Sequence, residues 1–122
     1  MEKSTAKKRA NKAMSDYIRE RDKWTCYTCG KVCDKYNADN GHLISRYWSG
    51  TLYDEDNCNC QCKGCNILHV NDTEPYKRKF ISERGEATYD ELYRKSKLII
   101  KRSVGDYLEI EKYFKDKLGE LV

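Results

Sequence analysis

The chain has 122 residues and a formal net charge of +4, and 36% of its residues are charged. This length suits one domain. Seven cysteines and ten tyrosines account for much of the hydrophobic fraction, so few aliphatic side chains are available to form a core. Because no apolar run approaches a membrane span and the segment MEKSTAKKRANKAMS is polar, we expect a cytoplasmic protein with reduced thiols, neither a membrane protein nor a secreted disulfide framework.

The first predicted element is a basic helix in residues 1–23. The segment from about Thr5 to Lys23 contains good helix formers and neither Gly nor Pro. Its apolar side chains recur at helical spacing and form a narrow stripe of Ala6, Ala10, Met14, Tyr17 and Ile18. Its cations are Lys3, Lys7, Lys8, Arg9, Lys12, Arg19, Arg21 and Lys23. Such a helix could follow a DNA backbone, and it could equally be a solvated surface.

The central segment, residues 24–85, contains short β-prone pieces such as residues 42–47. It carries two C-x-x-C knuckles separated by 32 residues, with the cysteines Cys26, Cys29, Cys62 and Cys65. In a reducing compartment, two knuckles that face each other predict a closed structural zinc site with four thiolate ligands. We interpret Cys33, Cys58 and Cys60 as small buried hydrophobes, although Cys58 or Cys60 could compete for the metal.

Helices are predicted for the rest of the chain. Thr73 and Glu74 precede Pro75 at a first helical turn, and Gly85 should end that helix. In residues 86–122, two capping-box patterns, Thr88 with Glu91 and Ser103 with Asp106, each precede apolar positions that recur at helical spacing. The first set is Leu92, Tyr93, Leu98, Ile99 and Ile100, and the second is Tyr107, Ile110, Phe114 and Leu118. This pattern predicts a C-terminal helical hairpin whose second stripe could pair in a homodimer or fold back on its own core.

A further set of residues lies around the knuckles. A G-H-x-I-x-R segment runs from Gly41 to Arg46, the pair Asp56-Asn57 follows His42 by about fifteen residues, and Asn66 directly follows the second knuckle. As a set, these motifs resemble the HNH, or ββα-metal, nucleases. The segment from Tyr17 to Asp22, the pair Gln61-Cys62 and the pair Pro75-Tyr76 narrow the resemblance to the NinG (Rap) family of phage recombination proteins.

The resemblance implies an α+β domain with a zinc-knuckled ββα core, and it implies a role for each matching residue. His42 would be the general base, and Asn66 would bind a catalytic Mg²⁺ or Mn²⁺ through its amide oxygen. Asn57 would brace the loop between the two strands so that His42 is held in place. His69, three residues after Asn66, could contact the metal or a phosphate, although the family pattern does not require it.

Further contacts follow from strand periodicity and charge. Many HNH sites have an Asp directly before the base. This chain has Gly41 at that position, and the NinG pattern also has a glycine there. Asp39 would then be a cation ligand only if a bulge turned it toward His42. Arg46 shares strand parity with His42 and could clamp the scissile phosphate. We expect Lys77, Arg78 and Lys79 to contact the DNA backbone.

Together these features predict a single HNH-type domain over residues 1–122 that hydrolyses DNA phosphodiesters. The NinG resemblance implies branched recombination intermediates as the substrate, either Holliday junctions or D-loops, in the cytoplasm of a phage host. One alternative is a zinc module that binds nucleic acid without cutting it, for which the basic helix and the zinc site would suffice. A second alternative is a nonspecific or restriction-type HNH nuclease that cuts linear duplex equally well.

Overall fold

The structure, a computed structural model, describes residues 1–121 and confirms the α+β class. Within these residues there are five α-helices and two β-strands, in the order α1 (Lys3–Arg21), β1 (Asp39–His42), β2 (Cys58–Gln61), α2 (Lys63–Asn71), α3 (Glu74–Arg84), α4 (Glu86–Ser96) and α5 (Val104–Glu120). Short 3₁₀ turns at Ser49–Thr51 and Glu55–Asn57 lie in the loop between the strands. Among these residues, no helix combines the length and the apolar character that crossing a membrane requires.

The longest helices, α1 and α5, pack along each other and form the largest part of the core. The whole predicted stripe of α1 is buried, and Tyr107 and Phe114 are buried on α5. The rings of Tyr17 and Phe114 meet at 5.8 Å between centroids. The predicted capping box at Ser103 and Asp106 is confirmed, with both reciprocal hydrogen bonds present. The apolar stripe of α5 therefore packs on α1 of the same chain. Of the two alternatives, a homodimer contact and packing within the chain, the structure shows the second.

The predicted C-terminal hairpin is wrong, because α5 packs on α1 while α4 packs on α3. The predicted capping box at Thr88 is also wrong. Gly85 serves both as the last cap of α3 and as the first cap of α4, so α4 begins at Glu86 and Thr88 already lies inside it. The helix ends at Ser96, and the apolar residues 98–100, predicted to continue it, are exposed. The helix predicted from Thr73 to Gly85 is confirmed as α3.

The two strands are antiparallel, with Asp39 opposite Gln61 and His42 opposite Cys58. The β-prone piece predicted at residues 42–47 overlaps the sheet only at His42. The strand ends there because the side chain of Asn57 takes both backbone groups of Ile44, which are then lost to the strand ladder. Helix α2 follows β2 directly and lies against both strands.

A second core lies between the loop that leaves β1 and the helices α3 and α4. Its buried members are Leu43, Ile44, Tyr76, Phe80 and Leu92. The hydroxyl of Tyr76 donates to the carbonyl of Gly41 at 2.9 Å, and the amide of Asn59 donates to that hydroxyl at 3.1 Å. This core fixes the end of β1, and therefore the position of His42, from the side of α3.

Candidate functional site

The two C-x-x-C knuckles meet, as their spacing predicted. The sulfur atoms of Cys26, Cys29, Cys62 and Cys65 all lie within 4.8 Å of one another. The distance between the sulfurs of Cys29 and Cys62 is 4.0 Å. Zn–S bonds of about 2.3 Å in a tetrahedron place sulfurs roughly 3.8 Å apart. This cluster could therefore hold a zinc ion with little movement, and the donor set of four thiols suits that metal.

Each knuckle is formed by a short turn. The first closes through the N–H of Gly30, which donates to Cys26 O, and through the N–H of Tyr27, which donates to Cys60 O on β2. The second is the start of α2, where the sulfur of Cys62 accepts from the N–H of Cys65. Burial opposes ionisation of the Cys26 thiol, but backbone hydrogen bonds at Cys29, Cys62 and Thr28 lower its pKa to about 7. A thiolate is therefore accessible near neutral pH, as metal binding requires.

The remaining cysteines lie in apolar surroundings, as interpreted from the sequence. Cys58 packs with the α1–α5 core, whereas Cys33 and Cys60 pack behind the cluster. All three are buried. Burial raises the pKa of Cys58 and raises that of Cys60 to about 12, so both thiols stay neutral. Neither belongs to the group of four close sulfurs.

A cleft of about 350 Å³ opens beside the end of β1. Four of the residues singled out in the sequence line it: His42, Arg46, Asn66 and His69. Asn40 lines it as well. The cleft lies between the strand end, the following loop and α2, whose start carries Cys62 and Cys65 of the four-cysteine cluster.

His42 has a defined tautomer. Its Nε2 lies 2.9 Å from the carbonyl oxygen of Leu52. A carbonyl only accepts, so in the neutral ring Nε2 carries the proton and Nδ1 keeps the lone pair. Burial is the main effect and lowers the pKa of His42; the Arg46 charge adds to this, while the Leu52 and Asn40 carbonyls oppose it. The neutral imidazole is therefore favoured, which is the form that can accept a proton.

Asn57 is fully buried and joins the two ends of the loop that follows β1. Its Oδ1 accepts from the N–H of Ile44 at 2.8 Å, and its Nδ2 donates to the carbonyls of Ile44 at 3.0 Å and Thr51 at 3.2 Å. Its own carbonyl accepts from the N–H of Leu43 at 2.8 Å. These bonds hold the segment on both sides of Leu52, whose carbonyl fixes the ring of His42.

Asp39 does not share the face of His42, because the register of β1 with β2 is continuous and contains no bulge. Its Oδ1 pairs with Nζ of Lys63 at 2.8 Å, and its Oδ2 accepts from Nδ2 of Asn66 at 3.1 Å. A carboxylate can only accept from an amide nitrogen, so this bond leaves Oδ1 of Asn66 available to another partner. Asp39 thus orients Asn66, and a direct role for Asp39 as a cation ligand lacks geometric support.

The glycine before His42 has a steric cause. A Cβ at Gly41 would lie 2.1 Å from Oε1 of Gln61 and 2.6 Å from its Cδ. Gln61 is fully buried, and its amide nitrogen donates to the hydroxyl of Thr28 at 2.8 Å beside the first knuckle. The glutamine therefore fills the space that a side chain at Gly41 would occupy.

The predicted phosphate contacts differ in their positions. Arg46 lies in the loop after β1, so the strand parity on which it was predicted is wrong, yet it lines the cleft and is exposed. Lys77, Arg78 and Lys79 lie on α3. The ammonium of Lys79 donates to the carbonyl of Tyr27, and that of Lys77 lies 4.8 Å from the ring of Tyr89. Arg78 is exposed.

Three polar residues near His42 were assigned no role from the sequence, although strand alternation already placed Asn40 on the same face as His42. Asn40 precedes it by two residues, and Asn11 and Ser15 of α1 line a small recess that also contains His42 and Arg46. The Oδ1 of Asn40 is buried without a hydrogen-bond partner among the described residues. The i, i+4 spacing of Asn11 and Ser15 beside the apolar stripe was the available signal. Nε2 of His69 donates to the carbonyl of Leu43 at 2.7 Å, and its Nδ1 is buried without a partner among the described residues.

Comparison with known proteins gives consistent results. A family model described as NinG, bacteriophage lambda NinG protein, matches residues 2–122. A probable HNH endonuclease of Lactococcus phage SK1 is 36% identical over 72 residues, which cover 54% of this chain and 71% of that protein. Protein ninG of Escherichia phage lambda is 32% identical over 87 residues, and protein ninG of Salmonella phage P22 is 33% identical over 87.

The matches to these two ninG proteins cover 70% of this chain but 42% of each relative, so the chain spans less than half of their length. No solved structure matches the chain significantly.

Proposed function

The chain belongs to the NinG family of bacteriophage proteins, and from this membership and the geometry of the cleft we propose that it is a metal-dependent DNA endonuclease of the HNH type. One observation carries the proposal: His42 is held by the Leu52 carbonyl in a tautomer whose free nitrogen can act as a base, and it shares a cleft with Asn66 and Arg46. The relative of Lactococcus phage SK1, itself named a probable HNH endonuclease, supports the same chemistry.

In this proposal Nδ1 of His42 takes the proton from the attacking water. Its lowered pKa keeps the ring neutral near pH 7, and the Leu52 carbonyl stabilises the imidazolium once it has formed. Asn57 acts through the loop, because its three side-chain hydrogen bonds fix the backbone that carries Leu52. It is a positioning residue in this scheme.

The residues beside His42 fit a divalent cation. Asn66 offers an amide oxygen, because its nitrogen is committed to Asp39, and Asn40 offers a buried amide oxygen without another partner in residues 1–121. Oxygen donors of this kind suit Mg²⁺ or Mn²⁺, with water and phosphate oxygens completing the shell. A bound cation would neutralise the charge that develops on the phosphate. Asp39 and Lys63 would orient Asn66 from behind.

Exposed cations around the cleft support a DNA substrate. Arg46 lines the cleft, where its guanidinium can donate to two phosphate oxygens at once. Lys3, Lys7 and Lys8 are exposed on α1, and Asn11 and Ser15 of the same helix reach the recess beside His42. DNA that occupied the cleft could therefore continue along α1. Lys79 is left out of this surface, because the Tyr27 carbonyl already engages its ammonium.

The substrate that we propose is branched DNA, such as a Holliday junction or a D-loop, cut during phage recombination. This part of the proposal rests on the family resemblance. Competition between a labelled four-way junction and an unlabelled linear duplex of matched sequence would test it. We expect the junction to be cut preferentially, whereas equal competition by the duplex would indicate a nonspecific or restriction-type nuclease.

The nuclease proposal itself can be tested on supercoiled plasmid with the zinc-loaded protein. We expect nicking with added Mg²⁺ or Mn²⁺, little nicking without either cation, and a loss of at least about 100-fold in His42→Ala. Lys112→Ala is a matched control, because it removes only an exposed ion pair with Asp116 on α5 and should keep most of the activity. Nicking that persisted in folded His42→Ala would contradict the proposed base.

A further inference from the structure

Two large aromatic side chains stand exposed on the loop that leaves the cleft. Tyr47 is 81% exposed and Trp48 is 36% exposed, and their rings meet edge to face at 5.3 Å. We propose that Tyr47 and Trp48, here called the aromatic edge, stack against an unpaired base and thereby direct the cleft to DNA that is not fully paired. This inference rests on the proposed nuclease function and names how its substrate is recognised.

The aromatic edge is fixed next to the catalytic residues. It follows Arg46 directly, and Arg46 lines the cleft together with His42. A turn orders the segment: the N–H of Tyr47 donates to the hydroxyl of Ser45, and the N–H of Trp48 donates to the backbone carbonyl of Ser45. A base held by these rings would therefore belong to a nucleotide close to the phosphate in the cleft.

The far side of the loop is anchored to the end of α4. A Cβ at Gly50 would lie 2.0 Å from the carbonyl oxygen of Lys95 and 2.7 Å from that of Leu98, so only glycine permits this approach. The N–H of Ile100 donates to the hydroxyl of Ser49, and the guanidinium of Arg102 donates to the Ser49 carbonyl. The exposed rings thus stand on a braced loop, which reduces the entropy lost when a ligand stacks on them.

The charges around the rings favour a nucleic acid. The ammonium of Lys97 lies over one face of Trp48, 3.9 Å from the ring centre, and 4.5 Å from the ring centre of Tyr93, so the more exposed Tyr47 is the principal stacking ring. Arg46 directly precedes Tyr47 in the sequence and supplies a second cation beside the two rings. Aromatic faces interleaved with cations suit a strand that offers both base faces and phosphates. In a fully paired duplex the base faces are stacked on each other, so the aromatic edge would select gaps, flaps and the displaced strand of a D-loop.

Binding without cleavage tests this inference separately from the nuclease. The probes are a DNA duplex with a gap of unpaired thymines and the same duplex fully paired, measured with the zinc-loaded protein and no added Mg²⁺ or Mn²⁺. We expect Tyr47→Ala and Trp48→Ala to bind the gapped DNA roughly tenfold more weakly, with little change for the paired duplex. Tyr36→Ala is the matched control, because Tyr36 is 74% exposed beside Lys35 in the segment between the first knuckle and β1 and should leave both affinities unchanged.

Trp48→Phe keeps a ring and should retain most of the preference for gapped DNA. In a Trp24→Phe background, gapped DNA should quench the fluorescence of Trp48, the remaining tryptophan. Equal losses for gapped and paired DNA, or unchanged fluorescence, would overturn the inference. A protein that prefers gapped DNA through these rings but never cuts DNA would refute the nuclease proposal and support the aromatic edge. A protein that cuts DNA but shows no such preference would support the nuclease proposal and refute the aromatic edge.

Discussion

The ring of His42 is controlled by three neighbours that the sequence does not place together. The carbonyl of Leu52 is ten residues away, Arg46 is four residues away, and Asn57 holds the loop between them. The motif G-H-x-I-x-R identified the histidine, but the tautomer depends on a backbone oxygen, which no side-chain pattern encodes. Gly41 shows the same limit. The sequence shows that a glycine precedes His42, but only the fold shows the reason, which is that the side chain of Gln61 fills the space of a Cβ at this position.

The pH dependence of cleavage should reflect the lowered pKa of His42. Burial and the charge of Arg46 disfavour the imidazolium, so the neutral base persists below the usual value of about 6.5. We expect the acidic limb of kcat/KM to fall below that value. Arg46→Gln removes a positive charge and should shift the limb toward higher pH. An acidic limb that did not move in Arg46→Gln would contradict an effect of the Arg46 charge on the pKa of His42.

Gly41→Ala should destabilise the fold, because its Cβ overlaps the side chain of Gln61. We expect a loss of about 1–3 kcal/mol in the free energy of unfolding, measured by urea denaturation. Gln61→Ala removes the overlapping atoms, so the double variant Gly41→Ala/Gln61→Ala should be less destabilised than the sum of the two single variants. Strict additivity would contradict the steric explanation.

At the scale of elements, α1, α3 and α5 were predictable from an apolar stripe or a local cap, whereas the bounds of α4 and of the short strands were not. The stripe of α1, the proline and glycine of α3 and the capping box of α5 each act locally. The limits of β1 depend on Asn57, fifteen residues after His42, and the pairing of α5 with α1 depends on contacts between the two ends of the chain. Periodicity within one helix cannot specify which other helix its stripe will contact.

The contact between α1 and α5 includes one ion pair that we expect to stabilise the fold. Glu111 is 7% exposed and accepts from Arg9 of α1, and it also pairs with Lys115. Arg9, followed by Lys115, lowers the pKa of Glu111, so its contribution is present above the unfolded value of about 4.3 and is lost as pH falls through the folded value.

Glu111→Gln should therefore lower the free energy of unfolding by about 1 kcal/mol at pH 7. The difference from the parent protein should shrink in acid, which denaturation at several pH values would measure. Asp116→Asn removes a more exposed pair with Lys112 on the same helix and should have little effect. A pH-independent difference for Glu111→Gln would indicate packing as the cause.

The four close cysteines predict an unusual order of effects on stability. Cys29 is exposed, whereas Cys33 is buried, so packing alone would make Cys33→Ser the more damaging change. If the cluster holds zinc, Cys29→Ser should lower the zinc content and the melting temperature more than Cys33→Ser does. Metal analysis and thermal unfolding of both variants would decide. Greater damage in Cys33→Ser, with zinc content unchanged in Cys29→Ser, would refute the zinc site.

At the scale of the whole molecule, the four-cysteine cluster, the α1–α5 pair and the α3–α4 core surround one short sheet. Each fixes a different side of the cleft: the cluster holds α2 with Asn66, α1 closes the recess beside His42, and α3 anchors Gly41 through Tyr76. The sequence predicted the cysteines and the histidine, because ligand spacing and motif are local. It did not predict the aromatic edge, because Tyr47 and Trp48 show no periodicity and their exposure follows from the path of the loop.

Cleavage of a labelled four-way junction, beside a linear duplex of matched sequence, tests the central claim most directly. The zinc-loaded parent protein and a folded, zinc-loaded His42→Ala variant would be compared with added Mg²⁺ or Mn²⁺ and with neither. We predict cation-dependent cutting by the parent protein, faster on the junction, and its loss in His42→Ala with junction binding retained. Junction binding without any cutting by the parent protein, under either cation, would contradict the nuclease and leave a zinc module that binds DNA.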